Sequence, residues 1–327
     1  MARAGFLQSS RKTMAFPGGF WYNEDIGRKT AARESEGGGC AMKKIGFIGV
    51  GIMGKSMVRN LMKAGYEVAI YTRTKAKVED VIAEGAIWRD TVKDCVQDRE
   101  AVITIVGYPK DVEEVYFGER GILANTPAGG YVIDMTTSSP KLAVRIYQAA
   151  KEAGLSAIDA PVTGGDGGAK AGTLTILAGG DREAFDACLP VFQAMGKNIN
   201  YEGKAGNGQH TKMCNQIALA GALSGACEAL AYARAVGLDA QTMLDSISTG
   251  AAGSAQMSNV LPRVLKDDYA PGFFIKHFIK DMKLADEEAL EASVRLGVLE
   301  QVLSMYEKLA ADGKEDLGTQ ALIQYYE

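Results

Sequence analysis

Lys43-Lys44-Ile45-Gly46-Phe47-Ile48-Gly49-Val50-Gly51-Ile52-Met53-Gly54 decides the fold. Its first half is a short apolar run that reads as a buried strand. Its second half is G-x-G-x-x-G, opening a helix pattern that runs from Met53 through Leu61 to Ala64. Gly65 sits where a helix C-cap belongs, and Tyr66–Tyr71 reads as the next strand. In such a loop the first glycine permits a tight turn and the second lets the backbone approach a pyrophosphate. The third allows close helix–strand packing, and the helix N-terminus attracts the anion. Gly49, Gly51 and Gly54, with Ile52 and Met53 among them, are therefore candidate dinucleotide ligands; without the strand before and the helix after, the same string would be only a tight turn.

Working outward, Ala101–Val106, Tyr131–Asp134 and Ser156–Asp159 read as strands that alternate with helical stretches such as Lys141–Ala153. That alternation implies a parallel sheet covered on both faces. Thr173–Leu177 and Asn198–Tyr201 add two later strands, and after Gly208 the strand signal stops. Gln209–Ala235 contains no Pro and only two Gly, and reads as one buried helix about 40 Å long. Asp239–Ser248, Ser254–Leu265, Phe273–Ser293 and Val298–Ala311 read as further helices. The expected architecture is α/β: a Rossmann-like dinucleotide-binding domain over residues 42–203, joined by the long helix to an all-α domain over residues 204–327. Residues 1–41 mix Gly, Ser, Arg and isolated aromatics without periodicity. They lack the apolar stretch of a secretory signal, and Glu24, Asp25, Glu34 and Glu36 argue against a transit peptide. They read as a disordered extension, or as sequence upstream of a start at Met42.

Composition narrows the chemistry. The 327 residues carry 36 Lys plus Arg against 40 Asp plus Glu, a net charge of −4, so there is no basic footprint for nucleic acid or an anionic membrane. The longest apolar run, Ile217–Cys227, falls short of the ~18 residues of a membrane span. Five scattered cysteines form no disulfide framework and no CxxC pattern, which suits a reducing cytoplasm. With only His210 and His277, a His-based metal site or a Ser-His-Asp hydrolase is disfavoured, and redox chemistry on a bound cofactor remains open.

The end of the second strand bears on which cofactor that is. An NAD site usually carries an acid about 20 residues after the glycine loop, for the ribose 2′-hydroxyl. Here Tyr71-Thr72-Arg73-Thr74-Lys75-Ala76-Lys77 has none. Arg73 could stack on adenine and pair with a 2′-phosphate, Thr74 could donate a hydrogen bond, and Lys77 adds charge, so NADPH is expected over NADH.

Five motifs in order make the chain similar to the β-hydroxyacid dehydrogenase family, which includes 3-hydroxyisobutyrate dehydrogenase and the tartronate, glyoxylate and succinic semialdehyde reductases. They are Phe47–Gly54; Asp134-Met135-Thr136-Thr137; Asp159-Ala160-Pro161-Val162-Thr163-Gly164-Gly165; Gly206–Gln216; and Lys280-Asp281. The resemblance covers residues 43–327 and implies the fold read above. It also implies that Thr163, Gly164 and Gly165 bind a substrate carboxylate, and that Lys212 is the catalytic acid–base. Asn215 and Gln216, on the face of Lys212, would orient the substrate. Thr137 would touch the nicotinamide ribose, ring or substrate. Val106, Tyr108 and Pro109 would lie along the cofactor with Thr72, and Lys280 would close over it while Asp281 holds the local helix. Thr163 stands where family members often have Ser, Tyr108 where many have Leu, and Gln216 where Asn is common. His210 reads as structural. Ser254-Ala255-Gln256 stands where relatives often carry a large aromatic, and Phe273 and Phe274 are either pocket lining or core.

These readings converge on an NADPH-preferring hydride-transfer enzyme for a short 3-hydroxy acid or semialdehyde, a small-molecule carboxylate, with no metal, no nucleic acid and no membrane as partner. A non-catalytic cofactor-binding module on the same fold, or an imine reductase-like enzyme, stands as the alternative. Small residues along the long helix (Ala218, Ala220, Ala222, Gly225) suit a homodimer or homotetramer.

Overall fold

The computed structural model describes residues 42–327; the reading of residues 1–41 as an extension lies outside the described residues. Strand and helix alternate through β1 (Lys44–Ile48), α1 (Ile52–Lys63), β2 (Glu67–Tyr71), α2 (Glu79–Ala83), β3 (Ile87–Trp88), α3 (Val92–Val96) and β4 (Ala101–Thr104). The pattern continues with α4 (Pro109–Tyr116), α5 (Ile122–Asn125), β5 (Tyr131–Asp134), α6 (Pro140–Glu152) and β6 (Ser156–Asp159). The six strands lie parallel in the order β3-β2-β1-β4-β5-β6. Their side chains alternate between two cores. Ile45, Phe47, Val68, Ile70, Ile103, Ile133 and Ile158 enter one face, and Ile48, Ala69, Val102, Val132 and Ala157 the other. Burial on both faces is why these strands read as continuous apolar runs.

The far side of the sheet departs from the parallel pattern. After β7 (Val162–Thr163) and α7 (Gly165–Ala171), β8 (Leu174–Gly180) runs antiparallel to both β6 and β7. The segment Gly164–Thr173 is shorter than the dozen or more residues a parallel crossover takes. It reverses the chain through Gly164 (φ 126°) and Gly172 (φ 66°), conformations closed to most side chains. After α8 (Arg182–Met195), β9 (Gly196–Gly203) closes the edge parallel to β8.

From there the chain is helical: α9 (Asn207–Ala235), α10 (Ala240–Ile247), a π-helical turn Gln256–Val260 leading into α11 (Leu261–Val264), α12 (Ile275–Glu291) and α13 (Gly297–Ala311). A 3-10 segment, Thr319–Tyr325, follows. Met213, Leu223, Leu230, Phe278, Tyr306 and Leu322 belong to the core these helices share. Of the small residues noted on α9, Ala220 is in that core, whereas Ala218 and Gly225 are exposed. Among the described residues no helix is long and apolar enough to cross a membrane.

Helix α1 sits hard against β1 because Gly54 has no side chain. A Cβ there would lie 2.3 Å from the carbonyl oxygen of Gly49. Gly54→Ala is therefore expected to cost about 1–3 kcal/mol in urea unfolding; an unchanged midpoint would mean that α1 does not depend on this approach.

Candidate functional site

The strands β1, β4, β5 and β6 end together at the sheet's carboxyl edge, where open α/β sheets bind ligands, and α9 and α12 stand over that edge. The glycine loop lies at the end of β1. Gly49 takes φ 95°, and a Cβ on it would meet the carbonyl oxygen of Ile105 at 2.2 Å, so only glycine fits the turn. Gly51 differs: a Cβ there meets nothing within 4 Å. Helix α1 has no side-chain cap and no acid in its first turn. Its first N–H groups at Ile52 and Met53 thus face open space beside Gly51, which fits a dinucleotide pyrophosphate.

At the end of β2, Thr72 is half-buried and Arg73, Thr74 and Lys77 are exposed. Arg73 is not free: its Nη2 pairs with Asp111 Oδ1 and lies 3.6 Å from Glu114. Asp111 is buried in the first turn of α4, where its other oxygen accepts the Tyr108 N–H at 3.1 Å. Tyr108 and Pro109 begin that helix. The Tyr108 ring lies 5.5 Å from the ring of His277 on α12, so this loop reaches the helical part of the molecule. Burial pulls the His277 pKa down.

The loop after β5 is pinned by its own polar groups. Asp134 accepts hydrogen bonds from Thr104 Oγ1 (2.9 Å) and the Thr136 N–H (3.1 Å), and burial pushes its pKa up to about 6. Thr136 Oγ1 in turn accepts the Val106 N–H at 3.0 Å. Lys280 Nζ donates to the Thr137 carbonyl at 2.5 Å and lies 2.8 Å from Asp281 Oδ1. Asp281 does more than hold its own helix, for its Oδ2 accepts Gln216 Nε2 at 2.6 Å, while Gln216 Oε1 accepts Asn215 Nδ2 at 2.7 Å. Thr137, Lys280, Asp281, Gln216 and Asn215 therefore form one connected group.

Helix α9 is anchored by Asp159 at the end of β6, whose two oxygens accept the N–H groups of Gly206 (2.7 Å) and Gln209 (2.9 Å). The Gln209 side chain donates to the Thr136 carbonyl (2.7 Å) and accepts the Ser138 N–H (2.9 Å). One turn along α9, Lys212 is only 6% exposed, and burial pulls its pKa down to about 8 against the weaker attraction of Asp281. Burial likewise raises Asp159 to about 7 despite its two N–H partners.

Thr163, Gly164 and Gly165 form the turn between β7 and α7; no hydrogen bond among the described residues ties them to Lys212 or to the group around Asp281. His210, read as structural, is exposed. Phe273 stacks on core Phe278 at 5.3 Å, whereas Phe274 packs edge-on against His277. Ser254 Oγ accepts the Met257 N–H at 3.2 Å, capping the π-helical turn that contains Gln256. Asp111, Gln209 and the capping role of Asp159 were missing from the sequence reading. Asp111 alone left a signal, as an acid in the first turn of a Pro-started helix.

Two family models match. One, the NAD binding domain of 6-phosphogluconate dehydrogenase, covers residues 44–203; the other, the NAD-binding domain of NADP-dependent 3-hydroxyisobutyrate dehydrogenase, covers residues 206–326. The uncharacterized oxidoreductase YkwC of Bacillus subtilis is 55% identical over 87% of this chain and 99% of its own. An NAD-dependent L-serine dehydrogenase of Pseudomonas aeruginosa is 38% identical over 83% of this chain and 94% of its own. The solved structure of Mycobacterium tuberculosis 3-hydroxyisobutyrate dehydrogenase with L-serine superposes with a TM-score of 0.78 at 30% identity, covering 86% of this chain and 98% of that one.

Two outcomes test this geometry. Gly51→Ala, which meets no atom, should leave unfolding stability within about 0.5 kcal/mol yet weaken dinucleotide binding at least about tenfold in a calorimetric titration. Undiminished affinity would mean that no pyrophosphate approaches Gly51. The native state also holds the Asp159 proton more tightly than the unfolded chain does, so this stabilisation is complete below about pH 4 and lost as pH rises through about 7. Unfolding free energy should decline across that window, and Asp159→Asn should flatten the decline; an unaltered slope would show that Asp159 does not titrate there.

Proposed function

The chain belongs to the β-hydroxyacid dehydrogenase family and is an NAD(P)-dependent oxidoreductase acting on a CH–OH group, and from that premise we propose that it is an NADPH-preferring enzyme with Lys212 as its general acid–base. Its substrate would be a short 3-hydroxy acid or the matching semialdehyde, in the class of 3-hydroxyisobutyrate, tartronate semialdehyde, glyoxylate and succinic semialdehyde. The observation that carries the reading is the state of Lys212: a buried ammonium whose pKa burial brings to about 8, one turn into a helix anchored at the sheet's carboxyl edge.

A bound nicotinamide supplies or accepts the hydride. The residues of the chain do the rest. Lys212, still mostly an ammonium near neutrality, gives its proton to the carbonyl oxygen in reduction. In oxidation its neutral amine takes the alcohol proton. The hydrogen bonds around Gln216 suggest how the neighbouring amides divide their work: both ends of Gln216 are engaged, one by Asp281 and one by Asn215. Asn215 is then the amide left to orient substrate, and Gln216 is a positioning residue. The Thr163 hydroxyl and the backbone N–H groups of Gly164 and Gly165 would take the substrate carboxylate. Arg73, Thr74 and Lys77, with no acid of their own segment to oppose them, support NADPH; the relative named as NAD-dependent makes a direct comparison of the two cofactors the first measurement.

Following the loss of NADPH absorbance with each semialdehyde, with glyoxylate, and in reverse with L-serine and 3-hydroxyisobutyrate, should identify a substrate turned over faster with NADPH than with NADH. Reductive kcat should fall as pH rises through about 8, where the ammonium is lost, and oxidative kcat should rise toward it. Lys212→Ala should lower kcat by about a thousandfold while dinucleotide affinity stays. Turnover near the wild-type rate in that variant would remove Lys212 from the chemistry. Tight NADPH binding with no turnover of any substrate would favour a cofactor-binding module.

A further inference from the structure

The segment after β2 lacks an acid, yet one stands beside it, supplied by another element. Asp111 reaches from the first turn of α4 to the Arg73 guanidinium, and Glu114, one turn further on, lies 3.6 Å from it. The two partners are unequal in freedom. The Asp111 side chain is 9% exposed and fixed by the Tyr108 N–H, whereas that of Arg73 is 70% exposed. The carboxylate is thus the fixed post and the guanidinium the mobile group tied to it. Among the described residues Lys77 joins no ion pair and Lys75 is drawn over the Trp88 ring, so Arg73 is the one cation of this segment that is already neutralised.

We propose that Asp111 is a specificity-determining residue at the adenosine end of the cofactor site, setting how strongly Arg73 discriminates a 2′-phosphate from a 2′-hydroxyl. This rests on the reading that adenosine binds at the carboxyl end of β2. A guanidinium presents five N–H donors, and Asp111 occupies one edge, so the opposite edge stays open to a phosphate or to stacking on a base. The tether keeps that edge in place, but it also puts a like charge across the guanidinium from any phosphate that binds. A 2′-hydroxyl feels no such repulsion. Asp111 therefore tempers the preference for NADPH and keeps NADH usable.

Half-cofactors read this without turnover. Calorimetric titration with 2′,5′-ADP and with 5′-AMP should be run on the wild type, Asp111→Asn, Arg73→Ala and the double variant. Asn keeps an acceptor for the Tyr108 N–H, so α4 retains its start. In Asp111→Asn the affinity ratio of 2′,5′-ADP over 5′-AMP should rise about tenfold, the size of one like-charge contact with a dianion in a water-like dielectric, with 5′-AMP changed less than about twofold. Arg73→Ala should lower the ratio, and the double variant should lie above Arg73→Ala, because the Asp111 charge repels the phosphate whether or not the guanidinium stands between them. A ratio unchanged or lowered in Asp111→Asn overturns the proposal, as does equal weakening of both ligands, which would make Asp111 merely structural. A wild type that favours 5′-AMP would refute the NADPH preference while leaving the effect of Asp111 on the ratio readable.

Discussion

The molecule turns on two hydrogen bonds to one carboxylate. Asp159, at the end of β6, takes the first free N–H groups of α9 from Gly206 and Gln209, where the positive end of the helix dipole favours an acceptor. The junction has no slack: a Cβ on Gly208 would lie 2.3 Å from the Leu177 carbonyl oxygen and 2.5 Å from that of Asp159. The helix start is therefore wedged between β6 and β8, with Gln209 stitching it to the loop after β5. Lys212 is one turn beyond this start, and Gln216 one turn further, aimed at Asp281 on α12.

Links between the sheet and the helical core converge on the same place. Lys280 from α12 meets the Thr137 carbonyl, and His277, one turn earlier on α12, meets the Tyr108 ring at the start of α4. The loops that would flank a nicotinamide are thus the loops that hold the two parts together. This economy makes the site and the fold hard to separate by mutation. A useful probe must keep the hydrogen bonds while changing one charge or one methyl.

Much of this was legible in the sequence, for identifiable reasons. The parallel strands announced themselves because burial on both faces leaves no polar alternation, and the glycine loop because Gly49 and Gly54 have no room for a side chain. The long helix was legible because nothing in Gln209–Ala235 interrupts it. The reversal at β8 was not legible, because strand direction is written in chain reach and glycine torsions rather than in hydropathy. Which small residues of α9 turn inward was not legible either: Ala220 is buried and Ala218 exposed, a distinction of rotation that composition does not carry. Asp111 escaped because a capping acid and an acid that crosses to an arginine look alike in one dimension. Lys280 was read as closing over a cofactor, and its position on the Thr137 carbonyl is compatible with that; the link from Asp281 to Gln216 had no local signal, since the two residues are joined only by packing of α12 on α9.

The electrostatics of the lysine pair follow from who holds Asp281. That carboxylate is the one whose attraction favours the Lys212 ammonium, but its direct partners are Lys280 at 2.8 Å and Gln216 at 2.6 Å. Lys212 is left with attraction at a distance, and with repulsion from Lys280, so burial dominates and its pKa falls toward neutrality. Were Asp281 to pair with Lys212 instead, the ammonium would be stabilised and its proton harder to release. Lys280 thus acts on the Lys212 ammonium without touching it, by occupying the counter-ion, and the Thr137 carbonyl that holds Lys280 in that pose becomes part of the same arrangement. A neutral residue at position 280 would free Asp281 for Lys212, and the chain would then hold a buried ion pair where it now holds an ammonium whose pKa burial has lowered.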